Sequence, residues 1–563
     1  MYAILLFMVG CVLYIADTFS KTNSAMGEAF NVYLIIVQLL WLGYIHVDVR
    51  KYINTISHAL EEAKEKDVKG EPVQLETTAD GQYQLRINLP EPRRTFPQHY
   101  GFTTGRHGGS LYLKIGAAVF CLGYLIHSGL NLGQKVLYII DEDEAFDACT
   151  CTQDILMSVL QPIYAFYQLF FIFKYSNIII NRRKRLSRFA LMHCISASLL
   201  FWVYTIIQET LQAIKSKKDA SAESANVTAI PSFGATSAIT GEEMDSEEEV
   251  DEAYGGEKQS SFWSNVNYGC GMTTHLTKML NDTTPYLYPF SIEYNILIVG
   301  IWILLWENIG RMDRHTHLPS IEMTFEDSNT KGISSNLIIY VDCHSSNRGL
   351  FAGLLLTVST VISIILFFIF TSNEETKWHG LQVNGYSELI IHFIMGIAAV
   401  LAYLAIRSLD IVKHKVSSVD DILLYICLPC IFLYAVFSLV PAFKDGKPLF
   451  VAVSIVQVIQ AVIQTALICD GLRRCSNTSA LNSKKPGREL ITFMVVANVA
   501  LWLLETFEIK SEEGNYYKYK FYGKEAWTLL SHMTLPLALF YRFHSSVCLV
   551  DIWKAGYEEE SEH

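Results

Sequence analysis

The chain reads as an all-α polytopic membrane protein, with twelve transmembrane helices in two pseudo-repeated six-helix halves. Three observations carry this reading. Of its 563 residues 51% are hydrophobic and only 18% charged, whereas a soluble chain carries about 25% charged residues. Apolar runs of about 20 residues, each long enough to cross roughly 30 Å of hydrocarbon, recur along its whole length. These runs fall into two groups of six, separated by a polar stretch near residues 311–346.

Taken in order, spans are expected at 2–19, 27–48, 110–130, 154–178, 186–213 and 286–308, and then at 347–371, 386–410, 421–443, 448–470, 489–509 and 525–552. The first begins at Tyr2 and passes signal-peptide length without a small-residue cleavage site, so no cleaved leader is expected. Residues 1–310 form the amino-terminal half, 311–346 a linker and 347–563 the carboxy-terminal half. Corresponding landmarks suggest the duplication. Pro289 precedes Trp306 by seventeen residues, as Pro536 precedes Trp553, and the fifth and eleventh spans end in "IIQET" and "WLLET".

Basic residues in short loops set the orientation. "NRRKRLSR" between the fourth and fifth spans holds five Lys/Arg, and the loop between the tenth and eleventh also holds five, whereas Lys21, Lys135 and Lys377 stand alone in theirs. The basic loops are therefore expected in the cytosol, with the linker and both termini. The long loop 214–285 is expected outside and the loop 49–108 inside. The outside loop carries "GEEMDSEEEVDEAYGGE", nine acids without a base, which reads as a solvated segment or as an acidic mouth. Two sequons, at Asn226 and Asn281, fall in it and are glycosylation candidates; a third, at Asn477, falls inside. Most of the twelve cysteines lie in spans, where cysteine serves as a small apolar residue. Cys149, Cys151 and Cys270 lie in outside loops, an oxidising setting that allows a bridge from Cys270 to one of the other two.

A charge at the centre of a span costs about 2.5–3.5 kcal/mol on insertion scales, so one that persists faces protein or water. Glu209, Glu293, Glu505, Arg542 and His544 are such residues, with Gln161, Gln168, Gln464 and Asn498 as neutral polar company. If the sixth and twelfth spans meet, Glu293 can pair with Arg542 or His544. Arginine stays protonated and suits a fixed role; histidine titrates near neutrality and suits proton exchange. His127, His392 and His532, in the outer halves of their spans, are candidates for sensing outside acid. Glu505 and Glu508, three apart, share a helix face.

Four segments resemble the signature segments of the otopetrin family: "LPLALFYRFHSSVCLVDIWKAGY" (535–557), "NVALWLLETFEIK" (498–510), "YPFSIEYNILIVGIWILLWENIG" (288–310) and "YLIHSGLNLG" (124–133). The resemblance implies a proton-selective channel gated by extracellular pH. It also implies a homodimer in the plasma membrane, whose four six-helix halves surround lipid, with sterol as a further lipid partner. The family's buried acidic positions match Glu209, Glu293 and Glu505, and its twelfth-span histidine matches His544. Many members carry Asp where this chain has Glu505.

The sequence lacks a "TVGYG" potassium filter, a "GxxxxGK[ST]" phosphate loop, "HExxH" and "GxSxG". No catalytic residue, cofactor, metal set or nucleic-acid partner is therefore expected. A proton-coupled secondary transporter is the alternative, since paired six-span halves suit that architecture too.

Overall fold

A computed structural model describes residues 1–19, 26–69, 73–77, 83–87, 99–102, 111–140, 152–228, 275–310, 347–373, 375–413, 419–509 and 514–558. The side chains of 19, 59–69, 73–77, 83–87, 102, 111–112, 215–228, 277, 282 and 508–509 lie outside that description. The long helices are α1 (Tyr2–Phe19), α2 (Met26–Lys69), α3 (Leu111–Ile140), α4 (Thr152–Tyr175), α5 (Lys184–Thr228) and α6 (His275–Glu307). They continue as α7 (Asn347–Thr371), α8 (Lys377–Ile406), α9 (Val419–Lys444), α10 (Pro448–Gly471), α12 (Arg488–Ile509) and α14 (Lys524–Ala555). Two short helices, α11 (Ser479–Lys484) and α13 (Tyr516–Tyr522), lie between.

Eleven of these helices are long and apolar enough to cross a membrane, and the apolar helix Tyr2–Thr18 is shorter. Each helix satisfies its own backbone groups, which is what a lipid-embedded segment requires. Several run past the apolar stretch that marks them. The α2 helix continues to Lys69 and α5 to Thr228, because lysine, glutamate and alanine propagate a helix into water as readily as leucine does in lipid.

Six short strands among the described residues were not expected. The strands β1 (Val73–Thr77) and β2 (Tyr83–Ile87) form a local antiparallel pair within the loop between α2 and α3. The other two pairs bridge separate connections. One joins β3 (Tyr100–Phe102), which precedes α3, to β4 (Ile178–Ile180), which follows α4; Tyr100 lies opposite Ile180. The other joins β5 (Asp410–Ile411), which precedes α9, to β6 (Arg474–Cys475), which follows α10; Asp410 lies opposite Cys475. A further backbone bond extends each pair: Gly310, after α6, donates to the Ile180 carbonyl, and Ser476 donates to that of Glu558, after α14.

Packing places α14 and α6 at the centre. Of their apolar windows 83% and 78% are buried, against 22% for α7. The α14 helix packs on α9 and α12, and also on α5, α6 and α10. Its start is set by Gly523, whose φ of +82° is a backbone conformation that glycine adopts without strain; this break separates α13 from α14. The α7 helix meets α12 through Gly349 and Gly353, four residues apart. A Cβ on Gly349 would stand 1.9 Å from the Glu489 carbonyl oxygen, and one on Gly353 2.8 Å from Val496 Cβ. Small residues at this spacing let two spans approach closely.

Candidate functional site

The expected charged residues are all buried. Their partners differ from those expected, and Arg542 is the centre of the best-defined group. Its side chain, 1% exposed, reaches three helices. Its Nε donates to Glu505 Oε1 on α12 at 3.2 Å, and its Nη1 to Gln460 Oε1 on α10 at 2.7 Å. Its Nη2 lies 2.8 Å from His392 Nε2 on α8. His392 Nδ1 lies 2.9 Å from the Glu388 carbonyl oxygen one turn earlier, so Nδ1 carries the proton and Nε2 accepts from the guanidinium. His392 Nε2 is 3.7 Å from Glu505 Oε1. Arg542 is thus paired with Glu505, and the expected contact with Glu293 is not formed. Arginine's fork of donors suits several fixed acceptors at once, and here α8, α10 and α12 supply them.

From Gln460 the bonding continues along side-chain amides. Gln460 Nε2 donates to Gln464 Oε1 at 2.8 Å, and Gln464 Nε2 donates to Asn498 Oδ1 at 3.0 Å. Asn498 Nδ2 donates to the Met494 carbonyl at 2.8 Å. All three amides are buried. On the side of Arg542 away from them, Glu505 faces a cavity of about 480 Å3 that Glu388, Tyr434, Gln457, Tyr517 and Lys518 also line. Tyr517 and Lys518 come from α13, so this cavity lies toward the end of the helices opposite β5 and β6.

A second, smaller cavity of about 250 Å3 lies where α5, α6 and α14 meet, lined by Glu209, Glu293, His532, Pro289, Pro536 and Leu539 among others. The two helix prolines that mark the suspected duplication sit here together. Glu293 is 1% exposed, and neither carboxylate oxygen has a hydrogen-bond partner. Across the cavity His532 Nε2 lies 4.0 Å from Glu209 Oε1. Thr210 Oγ1 donates to the Ile206 carbonyl at 2.8 Å and lies 3.0 Å from His532 Nδ1. A hydroxyl has one proton, so Nδ1 donates to Thr210 and the Nε2 lone pair faces Glu209. An imidazole presenting a lone pair to a carboxyl group is placed to exchange a proton with it.

The remaining expected residues are scattered. His544, two residues after Arg542 and so on nearly the opposite side of α14, faces α9, where its Nε2 is 3.4 Å from the Asp420 carbonyl oxygen and 3.8 Å from Asp420 Oδ1. It does not meet Glu293. His127, on α3, packs edge-on against the Tyr288 ring at 4.7 Å and lies 3.5 Å from Ser291 Oγ. His127, His392 and His532 therefore occupy three separate places. In the amino-terminal part Gln161 Nε2 donates to the Tyr124 hydroxyl at 2.7 Å, whereas neither amide atom of buried Gln168 has a partner. Asn281 is exposed on α6, its amide oxygen accepting from Gln212 at 3.2 Å. Cys149, Cys151 and Cys270 and the acidic loop lie outside the described residues, as do the side chains of Asn226 and Glu508. The eight described cysteines are unbridged.

Gln460, Glu388, Lys518 and Asp420 were not singled out from the sequence. Gln460 had a signal: Gln457, Gln460 and Gln464 recur at helical spacing in the apolar run "SIVQVIQAVIQTAL", a polar stripe that must face protein. Lys518 had none, because its burial depends on α13 folding back over Tyr434 and Trp527.

Comparison with known proteins bears on what these cavities serve. The otopetrin family model matches residues 112–543. The proton channel OtopLc of Drosophila melanogaster is 31% identical over 458 residues, 80% of this chain but 28% of that protein, so the chain spans well under half of that relative's length. The human proton channel OTOP3 is 22% identical over 79% of this chain and 74% of its own length. The Danio rerio proton channel OTOP1 is 20% identical over 80% and 79%. The matched region includes Glu209, Glu293, Glu505 and Arg542 and hence the acidic walls of both cavities: the chain belongs to the otopetrin family.

Proposed function

We propose that the protein is a proton-selective channel, activated by acid at the extracellular face, and not an enzyme. The observation that carries the reading is the placement of the ionisable groups within the apolar helices. Glu209, Glu293, Glu505, His392, His532, Arg542 and His544 are all buried in protein; four of them line two cavities, and Arg542 and His392 adjoin one of these through Glu505. Groups so placed can pass a proton between carboxyl, imidazole and water. An apolar constriction without space for a dehydrated metal ion is what would exclude sodium and potassium. The names of the relatives support a channel over a coupled transporter.

Each part acts by its chemistry. Glu505 lines the entry to the carboxy-terminal cavity, and Arg542 is a fixed cation that repels other cations at its floor. Glu209, His532 and Glu293 form the relay between the halves, with His544 further along α14. His127 and His392 are the further acid sensors. The two-half organisation, 1–310 and 347–563 around the linker 311–346, gains support from the strand pairs. In each part a strand before the third helix pairs with one after the fourth, and the chain after the sixth helix bonds to that same pair. We assign the strand-bearing end to the cytosol, with both termini, because the basic loops lie there. Twelve spans, a homodimer in the plasma membrane with lipid and sterol contacts, and glycans on Asn226 and Asn281 complete the proposal.

Purified protein in liposomes, with a voltage set by potassium and valinomycin, tests it. A channel acidifies or alkalinises the lumen with no other solute present. Vesicles that stay silent over a wide acid range, or that need a co-substrate, overturn it.

A further inference from the structure

We propose that the groove between α2 and α4, at the strand-bearing end of the helices, binds the phosphorylated headgroup of an inositol lipid, gripped by Arg50, Lys174 and His46. His46 and Arg50 are one turn apart on α2 and share a face; Lys174 lies in the last turn of α4. Lys174 and His46 stand against the same two rings. Lys174 Nζ is 5.8 Å from the centre of the Phe170 ring and 5.6 Å from that of Tyr175, and the His46 ring is 5.6 and 5.7 Å from them. Arg50 and Lys174 both act electrostatically on the imidazole. His46 Nδ1 is 3.0 Å from the Tyr175 hydroxyl, a bond that fixes the ring through one nitrogen and leaves Nε2 for a ligand.

Two cations and an imidazole thus gather without a counter-ion. Among the described residues no carboxylate pairs with Arg50, Lys174 or His46. Asp48, between His46 and Arg50 in sequence, projects from nearly the opposite side of α2 and is engaged by Arg182 and by the Tyr100 hydroxyl. Like charges so placed repel, and an anion between them removes the repulsion. Lys184, Arg185 and Arg188, exposed in the first two turns of α5, add to the positive field at this end.

Depth selects a lipid as the source of that anion. Arg50 and Lys174 sit where the apolar runs of their helices end, at the level of headgroups, and Val47, Phe170 and Phe173 beside them are exposed to acyl chains. Headgroup chemistry selects the lipid. Choline, ethanolamine and serine headgroups each carry an ammonium that Arg50 and Lys174 repel, whereas an inositol headgroup has none, and each phosphomonoester on its ring carries about −1.5 to −2 charges at neutral pH. Basic pockets between spans are suited to such headgroups. The leaflet that supplies the lipid rests on the orientation proposed above; the binding itself does not.

The purified full chain in detergent, titrated with a short-chain fluorescent phosphatidylinositol bisphosphate and read by anisotropy, should bind it saturably. A phosphatidylserine probe of the same chain length should bind at least about tenfold more weakly, as should soluble inositol trisphosphate, which lacks the acyl contact with Phe170. Arg50→Gln with Lys174→Gln should weaken the inositol lipid by about thirtyfold, the loss of two cations at a membrane surface. Lys184→Gln with Arg185→Gln, which removes the same charge outside the groove, should change it by less than about threefold. Phosphatidylserine bound as tightly as the inositol lipid overturns the proposal, and that comparison uses the wild-type protein, so it stands even where a variant fails to fold. Soluble trisphosphate bound as tightly as the lipid overturns it as well. So do equal affinity in the wild type and the groove variant, or equal losses in the two double variants.

Discussion

Replacing Glu505 by Gln should destabilise the protein strongly, because it strands a buried guanidinium. Arg542 is 1% exposed and Glu505 3%, with Nε 3.2 Å from Oε1. At an effective dielectric of about 20, a charge pair at that distance attracts by about 5 kcal/mol, and removing one partner of a buried pair costs about 3–5 kcal/mol. Glutamine retains an oxygen acceptor, which sets the expected loss near the lower end, about 3 kcal/mol. Glu505→Asp offers a graded comparison. One carbon–carbon bond fewer withdraws the carboxylate by about 1.5 Å, which reduces the attraction to about 3.5 kcal/mol and makes the loss about 1.5 kcal/mol. Thermal unfolding of detergent-purified protein, followed by size-exclusion fluorescence, should therefore rank wild type above Asp and Asp above Gln. The double change Glu505→Gln with Arg542→Met should recover part of the loss, since it removes the stranded charge as well. A Glu505→Gln protein that melts with the wild type, or a double variant that sums the two single losses, would refute the pairing and the role of Arg542 as a fixed cation.

Glu293→Gln removes an ionisable group that has no hydrogen-bond partner; it should reduce liposome proton flux markedly while leaving the melting temperature near wild type, and unchanged flux would remove Glu293 from the relay. Thr210→Val deletes the acceptor of His532 Nδ1–H; the imidazole then loses its fixed tautomer, and the pH–flux profile, recorded between pH 5 and 8, should shift, whereas an unshifted profile would place His532 outside the path. Gly349→Leu drives a side chain into the Glu489 carbonyl, so α7 must part from α12 at a cost of at least about 1–3 kcal/mol, visible as lower yield of monodisperse protein. Tyr100 donates from its hydroxyl to Asp48, and burial followed by that bond raises its pKa well above 10. The folded state thus holds the phenol proton more tightly than the unfolded chain, and stability contributed by this group is present below about pH 10 and falls as pH rises past it. In Tyr100→Phe that alkaline decline, read by thermal shift, should be shallower.

The sequence makes the helices legible and their meeting points less so. Twenty-residue apolar runs announce themselves, and the charges that such runs retain identify Glu209, Glu293, Glu505, Arg542 and His544 without any structure, because lipid rejects an unaccompanied charge. Which carboxylate Arg542 meets depends on whether α14 turns that residue toward α6 or toward α12, a rotation set by packing that no local pattern encodes. Glu293 and Arg542 were reasonable partners by depth alone; the rotation of α14 gives Arg542 to Glu505 and leaves Glu293 facing Glu209 and His532. The strands β3 to β6 escaped notice for a related reason. Three- and two-residue pairs such as 178–180 with 100–102 carry no periodicity of their own, and they form because the helices bring two connections side by side.

That rotation also separates two duties that the same side-chain type performs. Glu505 is held by an arginine that never deprotonates, so its charge is anchored and serves to balance and shape the field at the floor of its cavity. Among the described residues Glu293 has no hydrogen-bond donor to satisfy either carboxylate oxygen, so no fixed partner commits that carboxyl group to one protonation state. A carrier must accept and release its proton with comparable ease, which is what a bridged carboxylate cannot do. The amino acid at the centre of proton transfer should therefore be Glu293 and not the more conspicuous Arg542–Glu505 pair, and Glu505→Asp, which keeps the anchor's charge, should preserve flux where Glu293→Gln does not.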